Sequence, residues 1–546
     1  MKKSDRQLID LHVGRGETQT AVRLAADMAQ ASGNDPEFWI RLAVLQAEVE
    51  KYQDAWLALE QADRILADVA SAAGDRLPAG IFKRLEWDIE KTRAEILQGL
   101  ARGDRSYLPA LLESLRRLTG LDPNDNRRDV GSTHSLIHAL MCAGRFDEAE
   151  GELRTADYAM KTALFSGTLT YPKIVRWLAA FRRDPMLEIT PFPPDRGDRF
   201  VIVMAVWGDD FLDSLEAFTL PSLLAPGNLP YLAQAGDVRF VFFTSENSAR
   251  RLERMPAFIA ARQLVTCDVI LFPDELTTFP ETYKLMSTMH VAAMEIARAS
   301  RSHFYFLAPD VIAADNFLEA LDRRRRQEHE IVFVPGLMLE QESFAAEQTR
   351  LFPAVDGIVS IAPTKLLELG LRHLHYLTLD HYLGTSERRS SASVSIWPLS
   401  TGGMLAHGFH HSPFLIAADA MQRFDGSMFL SIDGEFLNRM IRSDEDLQRC
   451  TLIEDARETC YFELSSRRRP FSTTRWDIPR IARWGIVQGR TARWLFRQPV
   501  RFEPCAPDPQ DPAARQADAF AQAVVKEMDG LEQRGFPIGP RVDQRG

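Results

Sequence analysis

His303-Phe304-Tyr305-Phe306-Leu307-Ala308-Pro309-Asp310-Val311-Ile312-Ala313-Ala314-Asp315 reads as an apolar run of strand length that stops at an acidic residue. A short hydrophobic step and a second aspartate follow. Similar apolar runs stand at residues 200–207, 238–244, 269–272 and 331–334. Between them lie amphipathic stretches of helix length at 211–224, 247–262, 281–299 and 316–326. Continuous apolar strands alternating with helices predict an α/β fold, Rossmann-like, with a mostly parallel sheet covered on both faces.

In such sheets ligands bind outside the carboxyl ends of the strands. That rule selects Trp207-Gly208-Asp209-Asp210, Thr244-Ser245-Glu246, Pro273-Asp274-Glu275, Ala308-Pro309-Asp310 and Pro335-Gly336, where acidic and polar residues gather. Trp207, Asp209, Asp210 and Thr244 are the candidate nucleotide contacts; the plainer reading of the two aspartates is that they start the next helix. No GxGxxG follows the first strand and no GxxxxGK[ST] occurs, which disfavours an ordinary dinucleotide fold and a P-loop NTPase.

The helix before the 303–307 strand carries Tyr283-Lys284 near its start. Taken together, these segments resemble GT-A glycosyltransferases of the glycogenin and lipopolysaccharide sugar transferase group. In that group an apolar strand ends in Asp-x-Asp, which holds a divalent metal on the diphosphate of a nucleotide sugar. Here the motif reads Ala308-Pro309-Asp310, so only the last carboxylate is kept. The resemblance implies manganese or magnesium at Asp310, with a later histidine as a further ligand. His407-Gly408-Phe409-His410-His411 is the place for it, with His410 and His411 both open. Asp433 and Glu435 fall on an expected loop-to-helix junction and are candidates to activate or bind an acceptor hydroxyl. Each candidate has a plainer role. Asp310 or Asp315 suits a helix N-cap, Asp433 and Glu435 favour a helix dipole, and Lys284, a phosphate-binding candidate, suits a solvated helix face.

Residues 1–188 read as helical, with Ala and Leu recurring at three and four positions. Trp39, Leu42, Ala43, Ala55, Leu59 and Ala62, with a turn at 48–53, resemble a tetratricopeptide unit, a helix–turn–helix of about 34 residues. Leu136, Leu140, Gly144, Phe146, Ala149, Leu153 and Ala156 form a second copy, while residues 97–121 fit none. The resemblance implies a short solenoid that binds a protein partner. The Pro-rich stretch at 189–198 is the expected linker. The reading is therefore an all-α tetratricopeptide-like domain (1–188), a GT-A-like α/β domain (196–465) and a basic, aromatic C-terminal extension (466–546).

That extension sets Arg467, Arg468, Arg469, Arg475, Arg480, Arg483, Arg490, Arg493, Arg497 and Arg501 among Phe471, Trp476, Trp484, Trp494 and Phe496. The pattern suits docking onto the protein itself, peripheral contact with an anionic membrane surface, or a nucleic acid, the first being preferred. The whole chain of 546 residues is 45% hydrophobic and 26% charged, with a net charge of −11; these proportions are globular, and no nucleic-acid partner is expected. Five cysteines without CxxC spacing point to a reducing compartment, and no apolar run approaches the roughly 20 residues that span a bilayer. The expectation is a cytoplasmic protein, with the inner membrane face as a peripheral site. The expected function is transfer of a sugar from a nucleoside diphosphate sugar to a glycan, lipid-linked or protein acceptor. The alternative is a non-catalytic adaptor with protein-binding repeats and a degenerate nucleotide-sugar site; a nucleotidyltransferase ranks last.

Overall fold

The computed structural model describes residues 8–9, 11–13, 17–32, 35–49, 51–73, 79–120, 130–155, 171–194, 197–278, 282–379, 381, 393–426, 432–466 and 477–534. The chain divides into two compact units, Met1–Trp177 and Leu178–Gly546.

In the first unit, helices Thr18–Ser32, Pro36–Glu48, Tyr52–Ala73, Ala79–Gly103, Leu108–Gly120, Val130–Cys142 and Phe146–Thr155 each pack against the next. Asp35 starts the second of these by accepting a hydrogen bond from the Glu37 N–H, with Pro36 in the first position. The helix stops at Glu48 and the next begins at Tyr52. Ala43, Ala55 and Ala62 are fully buried, as small residues must be where two helices approach closely. Farther on, Gly144 takes a left-handed φ of +73°, and the Arg145 N–H returns to the Leu140 carbonyl at 2.8 Å, ending Val130–Cys142. Ala149 and Leu153 of the following helix are buried, while Ala156 lies outside the described residues. Where no repeat was legible, a 3-10 turn at Arg105–Tyr107 joins two helices that pack together.

The second unit contains strands β1 (Asp198–Ala205), β2 (Gly236–Ser245), β3 (Thr266–Phe272), β4 (His303–Leu307), β5 (Val311–Ala313), β6 (Ile331–Val334), β7 (Leu337–Glu340), β8 (Val394–Pro398), β9 (Met404–Gly408), β10 (Ser412–Ile416), β11 (Cys450–Leu452), β12 (Tyr461–Ser465) and β13 (Val500–Phe502). Seven form the central sheet in the order β11-β6-β10-β4-β1-β2-β3. All its neighbours pair in parallel except β10, which runs antiparallel between β4 and β6. β5-β12-β7 and β13-β9-β8 form two smaller sheets.

Residues 200–206 of β1 and its exit are buried on both faces, as a central parallel strand requires. Phe200, Ile202, Phe240, Phe242 and Tyr305 anchor the main core beside helix residues Leu212, Leu215 and Phe258. The stretch expected as one helix over 247–262 is two, Glu246–Leu252 and Pro256–Leu264, because Pro256 cannot donate within a continuous helix. The linker is pinned near its start. Arg239, fully buried, donates to the Thr190 and Pro191 carbonyls at 2.7 and 2.6 Å and stacks over Phe192.

Beyond residue 477, helices Ile478–Val487, Arg490–Phe496 and Pro512–Gln533 pack within the second unit, and β13 pairs with β9. Phe409 stacks on Phe496 at 4.0 Å and meets Trp484 edge-on. Arg490 pairs with Asp444, and Arg493 with Asp529 and Glu532. Residues 467–476, with Arg467 to Arg469, Phe471, Arg475 and Trp476, lie outside the described residues. Among the described residues no helix is long and apolar enough to cross a membrane.

Candidate functional site

The order of the central sheet places β2 and β3 on one side of β1 and β4 on the other, so the strand order reverses between β1 and β4. In an open α/β sheet that reversal opens a crevice outside the carboxyl ends of the strands. Trp207 to Asp210 leave β1 there, and Ala308 to Asp310 leave β4. β10 runs the other way, so His410 and His411, just before its start, belong to the same edge.

Trp207 is half-buried and meets Phe272 edge-on at 5.6 Å. Gly208 follows with φ +82°, a left-handed turn that glycine adopts without strain, and Asp209 and Asp210 begin the helix Asp209–Ser214. Both aspartates are exposed, and Asp209 lies 3.5 Å from Arg251. That helix continues through a π-turn, Leu215–Thr219, into Leu220–Leu223. Such bulges reposition side chains and are frequent at functional sites.

Thr219, at the end of the π-turn, is fully buried. Its hydroxyl lies 2.7 Å from both the Pro309 and the Val311 carbonyls and accepts the Val311 N–H at 3.2 Å. The Leu464 N–H binds the Asp310 carbonyl at 2.8 Å from the other side. Asp310 is thus held in a turn between β4 and β5, half-buried, and caps no helix. The N-cap of Phe317–Arg326 is Asn316, not Asp315, whose carboxylate accepts from Ser360 at 3.2 Å.

Tyr461 of β12 is buried beside this turn. A Cβ placed on Gly336 would lie 2.3 Å from its hydroxyl, so only glycine fits there. Burial first, then the charges of Glu463, Asp433 and Asp310, hold the Tyr461 phenol well above its ordinary value, against a hydrogen bond with Ser412. Asp310, Asp433 and Glu463 therefore lie within electrostatic reach of one phenol. His410 joins them: its Nδ1 meets the Asp433 carbonyl at 2.8 Å, and its ring stands edge-on to Trp484. A carbonyl only accepts, so Nδ1 is the donor in this contact, and in a neutral ring Nε2 is the acceptor.

Of the remaining candidates, two are buried and two have side chains outside the described residues. Thr244 is fully buried, shares by alternation the face of core residues Phe240 and Phe242, and its hydroxyl has no partner among the described residues. His411 is buried against Gly408. Burial, then His410 and His407, push it down to about 3, so it is neutral. The backbones of Lys284 and Glu435 lie in the helices Thr282–Ser300 and Glu435–Met440, but their side chains are outside the described residues. Asp433 precedes the latter helix, whose N-cap is Gly434. Among the described residues no three His, Cys, Asp or Glu side chains converge to hold a metal ion.

Thr219, Tyr461 and Glu463 were not singled out in the sequence. The alternation of Tyr461-Phe462-Glu463-Leu464-Ser465 is a strand signal that would have flagged the last two; nothing local marks Thr219.

No protein-family profile and no curated protein matches the chain. Among solved structures, the chain is similar at 12% identity to mouse xyloside xylosyltransferase 1 in its apo form, with a TM-score of 0.19, over 28% of this chain and 59% of that one. It is similar at 15% identity to a mutant O-GlcNAc transferase of Thermobaculum terrenum, with a TM-score of 0.18, over 56% of this chain and 51% of that one. The matched portion is below two thirds of either protein, and superpositions at these scores do not define a shared fold.

Proposed function

We propose that the second unit binds a nucleoside diphosphate sugar in the crevice between the ends of β1 and β4 and transfers the sugar to a hydroxyl of a glycan, lipid-linked or protein acceptor. The observation that carries this reading is the strand reversal itself, with Trp207, Asp209 and Asp210 on one lip and Asp310 on the other. In this reading the Trp207 ring packs against the base, and the carboxylate of Asp209 or Asp210 accepts ribose hydroxyls. His410, its Nδ1 proton committed to the Asp433 carbonyl, offers Nε2 to take the proton of the acceptor hydroxyl. Asp310 would be a single carboxylate ligand for a divalent ion whose other oxygens come from the diphosphate. The described residues do not by themselves supply a complete ligand set. The helical first unit is the proposed protein-binding part.

The test is release of nucleoside diphosphate from UDP-, GDP- and CDP-linked sugars. Turnover is expected with one of them, falling at least 100-fold in Asp310→Ala with unchanged circular dichroism. Nucleotide binding without turnover would instead favour the adaptor reading.

A further inference from the structure

A second candidate site lies away from the crevice, where the helix Pro512–Gln533 crosses the end of β9. His407 is 1% exposed, and its Nδ1 meets the Phe496 carbonyl at 2.9 Å. The carbonyl fixes the proton on Nδ1, leaving Nε2 as a lone-pair acceptor. That Nε2 is buried and has no hydrogen-bond partner among the described residues. It faces the Asp518 carboxylate, a second acceptor, across 4.0 Å. Burial holds His407 below its ordinary value, so at neutral pH it does not charge to pair with Asp518. The Asp518 side chain is 55% exposed and meets solvent, so the buried Nε2 is the atom that lacks a hydrogen-bond donor.

A cavity of about 370 Å³ opens at this point, lined by His407, Asp518, Arg497, Gln522, Lys526 and Asp529. Two cations stand against two anions, with a neutral imidazole and an amide. A free phosphate or nucleotide favours a net positive lining, and a bare metal ion favours a third ligand that the described residues do not supply. Interleaved donors and acceptors of zero net charge suit hydroxyl groups, each of which donates one hydrogen bond and accepts others. Two adjacent ring hydroxyls, each donating over about 2.8 Å, span acceptors at this separation. The volume is at the low end for ligand sites, the size of a mono- or disaccharide.

We infer that this cavity binds a neutral saccharide, with two neighbouring hydroxyls donating to His407 Nε2 and Asp518 and with Gln522 and Lys526 donating in return. As an acceptor subsite its role rests on the sugar-transfer reading; the binding itself does not. The experiment is saturation-transfer NMR and titration of the full chain with the methyl glycosides of glucose, galactose, mannose and N-acetylglucosamine. Wild type, Asp518→Ala and Gln522→Ala are compared, with inorganic phosphate as a parallel probe. At least one glycoside is expected to bind in the millimolar range, to shift the His407 Nε2 nitrogen resonance, and to weaken at least tenfold in Asp518→Ala. The inference is overturned if no glycoside binds, if Asp518→Ala changes nothing, or if phosphate alone occupies the cavity. A UDP titration of the same variants reads the crevice separately, so the two proposals fail independently.

Discussion

The hydroxyl of Thr219 lies 2.7 Å from the carbonyl of Pro309, joining the helix that leaves β1 to the turn that carries Asp310. The same oxygen accepts the Val311 N–H, so one buried side chain holds the peptide groups on both sides of the aspartate. Thr219→Val keeps the shape and removes these bonds. It is expected to cost about 1–3 kcal/mol in urea denaturation, while Thr219→Ser stays near wild type. Equal stability of the two variants would remove the clamp.

Gly485 faces Phe409 so closely that a Cβ would lie 2.3 Å from the ring. Gly485→Ala must therefore displace Phe409 or the helix Ile478–Val487. Overpacking of this kind costs about 1–3 kcal/mol. Thermal unfolding of the variant measures it, and an unchanged midpoint would contradict the docking of this segment on β9.

Arg239 is buried with Asp237 beside it and the Thr190 and Pro191 carbonyls above. Arg239→Leu strands the Asp237 charge and frees the linker, at an expected cost of about 3–5 kcal/mol. Limited proteolysis should show faster cleavage at residues 190–197 in the variant than in wild type.

Acid should destabilise the second unit through its buried histidines. Burial pushes His290 down to about 4 and His411 to about 3. Unfolded histidines titrate near 6.5, so between these values the unfolded chain binds more protons and stability rises with pH. The contribution is complete above about pH 6.5 and is lost as pH falls toward the folded values. His290→Leu should flatten the dependence by about 1.4 kcal/mol per pH unit between roughly pH 6 and 4, read from urea midpoints.

Strands β4 and β6 were legible because a buried parallel strand is apolar along its whole length: the 303–307 and 331–334 runs coincide with them. Gly144 was legible as a position of the second tetratricopeptide-like copy, and its left-handed φ makes it the helix end there. β10 was not, because Pro413 argues against a central strand; the register shifts between Pro413 and Leu415, the irregularity that admits a proline there. β12 was missed because its partners, β5 and β7, are more than 100 residues away in sequence. In the candidate site, Asp310 and Asp433 could be picked out by residue type. Their common neighbour Tyr461 could not, and neither could the burial of Thr244 and His411, which only the packing decides.

The most direct test of the crevice is calorimetric titration of the full chain with UDP, GDP and CDP, with and without manganese, in wild type and Asp310→Ala. The account predicts binding of one nucleoside diphosphate, weakened at least tenfold by the substitution. Binding of none, or binding that Asp310→Ala leaves untouched, would contradict the placement of the diphosphate between β1 and β4.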